Sequence, residues 1–193
     1  MESSIRVTLP DASEHNVASG ISLEELAKII PHGLRWPVMA AKVDNNLKEL
    51  TYVLDTDAHV EFVDMGDSDG MRVYTRTGIL VLVMAAREVL KDCRVIIQHS
   101  LSNGLYGEIK WTRPLTEAHV RAIEQRMREI VEADKPINRK RMLVEDAIEL
   151  FRVDGQMDKA RLLRYRKADT VNIYECGWLS DYLYGYMAPS TGY

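Results

Sequence analysis

The stretch Tyr74-Thr-Arg-Thr-Gly-Ile-Leu-Val-Leu-Val-Met-Ala-Ala-Arg-Glu-Val-Leu90 decides how this chain is read. Ile79, Leu80, Leu82, Val83, Ala86, Val89 and Leu90 recur at helical spacing, and Thr75 or Thr77 is the expected cap. The apolar arc is too wide for a surface helix, so the spacing predicts a buried spine. Lys91-Asp92 should end it, and Val95-Ile96-Ile97 has the β-branched content of a strand.

Upstream, Ile5–Leu9 alternates like a half-buried strand and stops at the turn signal Pro10-Asp11. His15–Ala18 reads as its hairpin partner. Ser22-Leu-Glu-Glu25 is a capping box opening a helix with Leu23, Leu26, Ala27 and Ile30 on one face. Val38–Val43, Leu47–Tyr52 and His59–Phe62 supply further strands. A hairpin, a helix and short strands suggest a β-grasp, ubiquitin-like domain over residues 1–65. Gly66-Asp-Ser-Asp-Gly70 is the expected linker, and residues 71–193 form a second, α+β domain. There, strands are expected at Arg94–Gln98, Leu105–Trp111 and Val171–Tyr174. Thr116 caps a helix striped with Val120, Ile123, Met127 and Ile130; shorter helices carry Val144–Phe151 and Asp158–Tyr165.

Composition narrows the function classes. Of 193 residues, 46% are hydrophobic and 28% charged, as in an ordinary globular protein, and no apolar run reaches membrane-span length. Cys93 and Cys176 have neither metal-ligand nor redox spacing, so buried reduced thiols in a cytoplasmic protein are expected. The net charge of −4 is uneven: residues 1–66 carry five basic against eleven acidic side chains, whereas Lys135–Lys167 carries ten against five. The acidic part is unsuited to gripping phosphate, while the basic part is either a solvated face or an RNA contact.

Val7-Thr-Leu-Pro-Asp11, Ser22-Leu-Glu-Glu-Leu-Ala27 and Ala40–Leu50 resemble the TGS domain that begins threonyl-tRNA synthetases. Ala85–Leu90, Arg113-Pro-Leu-Thr-Glu117 with Ile123–Met127, and Pro189-Ser-Thr-Gly192 resemble the editing domain that follows it. The resemblance implies an H-x-x-x-H pair on the central helix and a C-x-x-x-H pair before P-S-T-G. Arg76 and Leu80 stand at the first two positions, Leu183 and Met187 at the others. None of these side chains binds zinc or serves as a general base at neutral pH. No His or Cys lies within residues 71–87 or 180–193 to correct the register.

A second resemblance rests on Asp69–Arg76, Ile97–Tyr106 and Tyr184–Tyr193: to bacterial proteins carrying this pair of domains ahead of a P-loop kinase related to uridine kinases and phosphoribulokinases. It implies a C-terminal kinase domain as partner, with ATP and magnesium bound there and no cofactor in these residues. No G-x-x-x-x-G-K-[ST] occurs in the chain, and its ending on Ser-Thr-Gly-Tyr193 suggests a piece of a longer protein. The expected function is therefore a noncatalytic binding or regulatory module of a nucleoside kinase. The alternative is a threonyl-tRNA synthetase-like fragment retaining tRNA binding or aminoacyl-tRNA hydrolysis.

Local candidates for RNA or a small anion are Arg76, His99, Ser100, Asn103, Tyr184 and Tyr186. His99, Ser100 and Asn103 read either as the mouth of a pocket opposite Arg76 or as a loop bonding its own backbone. Arg76, placed near a helix start, needs an acidic partner such as Asp69 or Asp181, or an anionic ligand. Tyr182, Tyr184 and Tyr186 alternate as on a strand, suiting either base stacking or a domain boundary. The old editing cleft is either open or filled by Leu80, Leu183 and Met187.

Overall fold

The computed structural model describes residues 3–102 and 104–193. Strands β1 (Ser4–Thr8) and β2 (Glu14–Ala18) form the opening hairpin. After β3 (Ile21–Ser22), helix α1 (Leu23–Ile29) begins at the expected box: the Glu25 amide donates to the Ser22 hydroxyl, and the Glu25 carboxylate accepts from the Ser22 amide. Strands β4 (Val38–Val43), β5 (Asn46–Lys48), β6 (Val53–Leu54) and β7 (Ala58–Asp64) follow. Of the predicted Leu47–Tyr52 strand only Leu47–Lys48 forms, in β5; residues 49–52 make a turn in which the Tyr52 amide donates to the Glu49 carbonyl, and β6 begins just beyond it. The sheet runs β2-β1-β7-β4-β5, with β1 and β7 parallel at its centre. Leu23, Leu26 and Ile30 pack with Ile5, Val7 and Val60 into its core.

Helix α2 (Ser68–Leu90) spans 23 residues, or about 35 Å at the usual rise per residue. It starts earlier than the threonines predicted. Asp67 is its cap, accepting from the Asp69 amide at 2.7 Å. The predicted linker at residues 66–70 therefore contributes Ser68, Asp69 and Gly70 to the helix. Gly70 is needed there: a Cβ on it would lie 1.9 Å from the Asp64 carbonyl oxygen. This close approach seats the helix on the end of β7. Val73 clusters with Met39, Ala40, Val63 and Ala188, joining both halves of the chain in one apolar contact.

Beyond α2 lie β8 (Arg94–Leu101) and β9 (Gly104–Lys110), an antiparallel ribbon. Helix α3 (Glu117–Glu132), capped by Thr116, lays Ile123 and Ile130 into the core containing Leu80, Met84 and Ala85. Strand β10 (Asn138–Leu143) pairs with β11 (Thr170–Cys176), which pairs with β12 (Leu179–Asp181). Helices α4 (Val144–Val153) and α5 (Met157–Leu163) bury Phe151 and Leu163 against β11. The architecture is mixed α+β, with a ubiquitin-like N-terminal domain. Among the described residues no helix is long and apolar enough to cross a membrane.

Candidate functional site

The segment after β12 is held by hydrogen bonds on two elements. Buried Thr77, inside α2, donates to the Val73 carbonyl at 2.9 Å and accepts the Ala188 amide at 3.0 Å. Thr191 donates to the Ile130 carbonyl at 2.7 Å and accepts the Lys135 amide at 2.8 Å. The Ile137 amide reaches the Pro189 carbonyl at 2.7 Å, and the Ser190 hydroxyl donates to Asp134. Pro189–Gly192 is thereby strapped to the end of α3, and the Met187 side chain must enter the core.

The four positions that the resemblance marked divide into a packed group and a cation. Leu80 and Met187, 0% and 1% exposed, share a single apolar cluster, with Leu183 packed against it. Each full burial is worth about 1.5–3 kcal/mol, ample reason for these side chains to occupy the space themselves. Arg76 has neither expected acidic partner. Asp69 pairs with Arg72 at 3.0 Å, and Asp181 pairs with Lys159. Its guanidinium instead lies against Gly185, whose φ is +111°, and donates to the Tyr186 carbonyl at 3.4 Å. Burial, then the neighbouring charge of Arg72, lowers its pKa. Because α2 begins at Ser68, Arg76 stands beyond the first turn, and the helix-dipole penalty does not apply.

Beside Arg76's neighbours Gly185 and Tyr186 opens a cavity of about 280 Å³, lined by Arg139, Arg166, Asn172, Tyr174 and residues 182–186. The tyrosines do not form the alternating strand expected, since β12 stops at Asp181 and Gly185 turns the chain. Tyr184 is 84% exposed. Arg139 lies over the Tyr186 ring, 5.5 Å from its centroid, and Arg166 over Tyr182 at 5.8 Å while donating to its hydroxyl at 2.6 Å.

Glu49, from the first domain, pairs with Arg139 at 3.0 Å and accepts from the Tyr174 hydroxyl at 3.1 Å. Burial pushes the Glu49 carboxyl above its ordinary range despite Arg139. The same carboxylate holds the Arg139 guanidinium up against its own burial. Both values rise: at Glu49, whose side chain is 10% exposed, burial outweighs the cation, whereas at Arg139, 35% exposed, the carboxylate leads the effects that outweigh burial.

His99 and Ser100 lie on β8, in what was expected to be a loop. His99 stacks on Tyr106 with centroids 5.1 Å apart, and neither side chain lines the cavity. Asn103 lies outside the described residues. A further cavity of about 320 Å³ is bordered by Arg87, Arg94, Asp154, Asp158 and Lys159. These charges are already paired: Arg87 with Asp154, Arg94 with Asp158, Lys159 with Asp181. Among the described residues no group of three or more His, Cys, Asp or Glu could hold a metal ion. Sequence reasoning missed Arg139, Arg166 and Tyr174 as cavity residues, and Glu49 as the partner of two of them. The two arginines belonged to the basic run, but charge count cannot tell which of its members face tyrosines.

Residues 5–64 match the TGS domain family, and that domain is the β-grasp unit described above. Along nearly its whole length the chain is similar to threonine–tRNA ligases. That from Polaromonas sp. is 29% identical over 189 residues, covering 97% of this chain. Those from Burkholderia lata and Cupriavidus pinatubonensis are 30% and 31% identical over the same length. The chain spans about 30% of the length of these relatives. This overturns the expectation of a uridine kinase- or phosphoribulokinase-like parent with a P-loop kinase partner: the similarity reaches through both domains to ligases instead. Of the segments that suggested kinases, Asp69–Arg76 supplies Val73 and Tyr184–Tyr193 supplies Ala188 to the apolar cluster that joins the two halves of the chain.

Proposed function

We propose that this chain is a tRNA-binding part of a threonyl-tRNA synthetase-like protein whose editing site has lost its hydrolytic groups. The similarity over 97% of the chain to threonine–tRNA ligases carries the reading. The cavity supports it. Tyr182, Tyr184 and Tyr186 offer ring faces to bases, Arg166 offers charge to phosphate, and Arg139, paired with Glu49, lies over the Tyr186 ring. Arg76 adds a half-buried cation behind them. Ester hydrolysis requires an activated water, and Arg76, Leu80, Leu183 and Met187 supply neither a base nor a zinc-ligand set. No cofactor is assigned to these residues, and a cytoplasmic location is part of the same proposal.

Fluorescence anisotropy with end-labelled unacylated threonine tRNA tests the reading. The wild-type chain should bind at low salt. An Arg139→Ala, Arg166→Ala double variant should bind roughly tenfold more weakly, with its salt slope reduced by about one for the Arg166 charge. No binding at low salt, or unchanged binding by the double variant, would contradict it.

A further inference from the structure

The cavity lining comes entirely from the second domain, yet its back wall is held from the first. Glu49 follows β5 and is 8% exposed. Its two carboxylate oxygens are divided between partners: Oε1 faces the Arg139 guanidinium, and Oε2 faces the Tyr174 hydroxyl. The Tyr174 hydroxyl also lies 3.1 Å from the Gly185 carbonyl. It has a single proton for these two acceptors, so the carboxylate and the carbonyl share it. Arg139 in turn covers the Tyr186 ring. A continuous path of contacts thus runs from Glu49 through Tyr174 to Gly185, and through Arg139 to Tyr186. The first path is buried, since Tyr174 is 2% exposed; the second passes through the more open Arg139 side chain, which β10 and β11 hold in register with Tyr174 and which Glu49 anchors.

We propose that Glu49 is a positioning residue for this cavity, so that docking of the TGS domain sets the placement of Arg139 and the Gly185–Tyr186 segment. An unhelped Arg139 would retain its long side-chain freedom and the Tyr174 hydroxyl would turn wholly to Gly185. The TGS domain then contributes to binding without touching the ligand. What Glu49 must supply is acceptor oxygen: a neutral amide in its place still accepts from Tyr174 or Arg139, whereas a methyl group accepts from neither.

The consequence for affinity rests on the tRNA-binding reading; the structural coupling does not. Amide ¹H–¹⁵N spectra of wild type, Glu49→Ala, Glu49→Gln and Tyr174→Phe, with tRNA titrations of each, separate the two. Glu49→Ala should move the Gly185 and Tyr186 signals and weaken tRNA binding about fivefold, a typical coupling between sites. Glu49→Gln should restore both toward wild type. Tyr174→Phe, which removes the shared proton while leaving Glu49 and Arg139 paired, should move Gly185 and serves if Glu49→Ala fails to fold. The inference is overturned if Gly185 and Tyr186 stay in place in Glu49→Ala, or Gly185 in Tyr174→Phe, whatever happens to residues 46–54. Absence of tRNA binding by every form, wild type included, would defeat the functional reading while the spectra still decide the coupling.

Discussion

Thr77 shows what a single side chain does in this molecule. It is buried within α2, yet its hydroxyl both returns a proton to the helix and receives the Ala188 amide from the far end of the chain. Thr77→Val keeps the shape and removes the acceptor, leaving a buried N–H without its partner. Chemical denaturation should show a loss of about 1–3 kcal/mol. Periodicity marked Thr77 only as a capping candidate, because a hydroxyl's distant partner leaves no trace in local spacing.

Asp154 allows a test with acid. Two hydrogen bonds from Arg87, at 2.8 and 3.0 Å, hold its carboxyl below the ordinary value of 3.8 although burial acts the other way. With the folded pKa depressed, the stabilisation is present above the ordinary value and is lost as pH falls through the lower, folded one. Asp154→Asn should therefore be less stable than wild type at neutral pH, by about 1 kcal/mol because the pair is partly solvated. Denaturation midpoints measured down the acid range should converge. A gap that persists unchanged in acid would assign the loss to packing instead.

At the scale of elements, the capping box of α1 was legible because its signal is local, and the stripe of α3 was legible at Ile123, Met127 and Ile130, whereas Val120 is 55% exposed. The start of α2 was not. Gly66-Asp-Ser-Asp-Gly70 has linker composition, but Asp67 caps and Gly70 allows the helix to touch the Asp64 carbonyl. Gly70→Ala would gain helix propensity in isolation, yet its methyl group meets backbone that cannot rotate away. Thermal unfolding should reveal a net loss of about 3 kcal/mol, the upper part of the usual overpacking range. Strand β10 was missed for a related reason. Asn138-Arg-Lys-Arg141 lacks alternation because the strand lies at a sheet edge, pairing only with β11, and its side chains are exposed. That omission hid Arg139, and with it the cavity.

At the scale of the whole molecule, the domains share more than a connecting chain. Val73 and Ala188 cluster with Met39 and Val63, Arg139 pairs with Glu49, and the Tyr193 hydroxyl donates to Glu24 at 3.1 Å. The four positions followed from the resemblance, but the fate of their space did not, since burial depends on how β12 and the P-S-T-G segment return to α2. Leu80 and Met187 fill that core while Arg76 turns to the Gly185–Tyr186 backbone. Filling at the core therefore leaves the adjacent tyrosine cavity open for the proposed binding. The central claim is that tRNA is held here without being deacylated. The direct measurement is the decay of the ester bond in seryl-tRNA of the threonine type, with the purified chain in molar excess and binding followed in the same samples. The account predicts bound tRNA whose ester lasts at least as long as in buffer alone; ester loss markedly faster than in buffer, proportional to the amount bound, would contradict it.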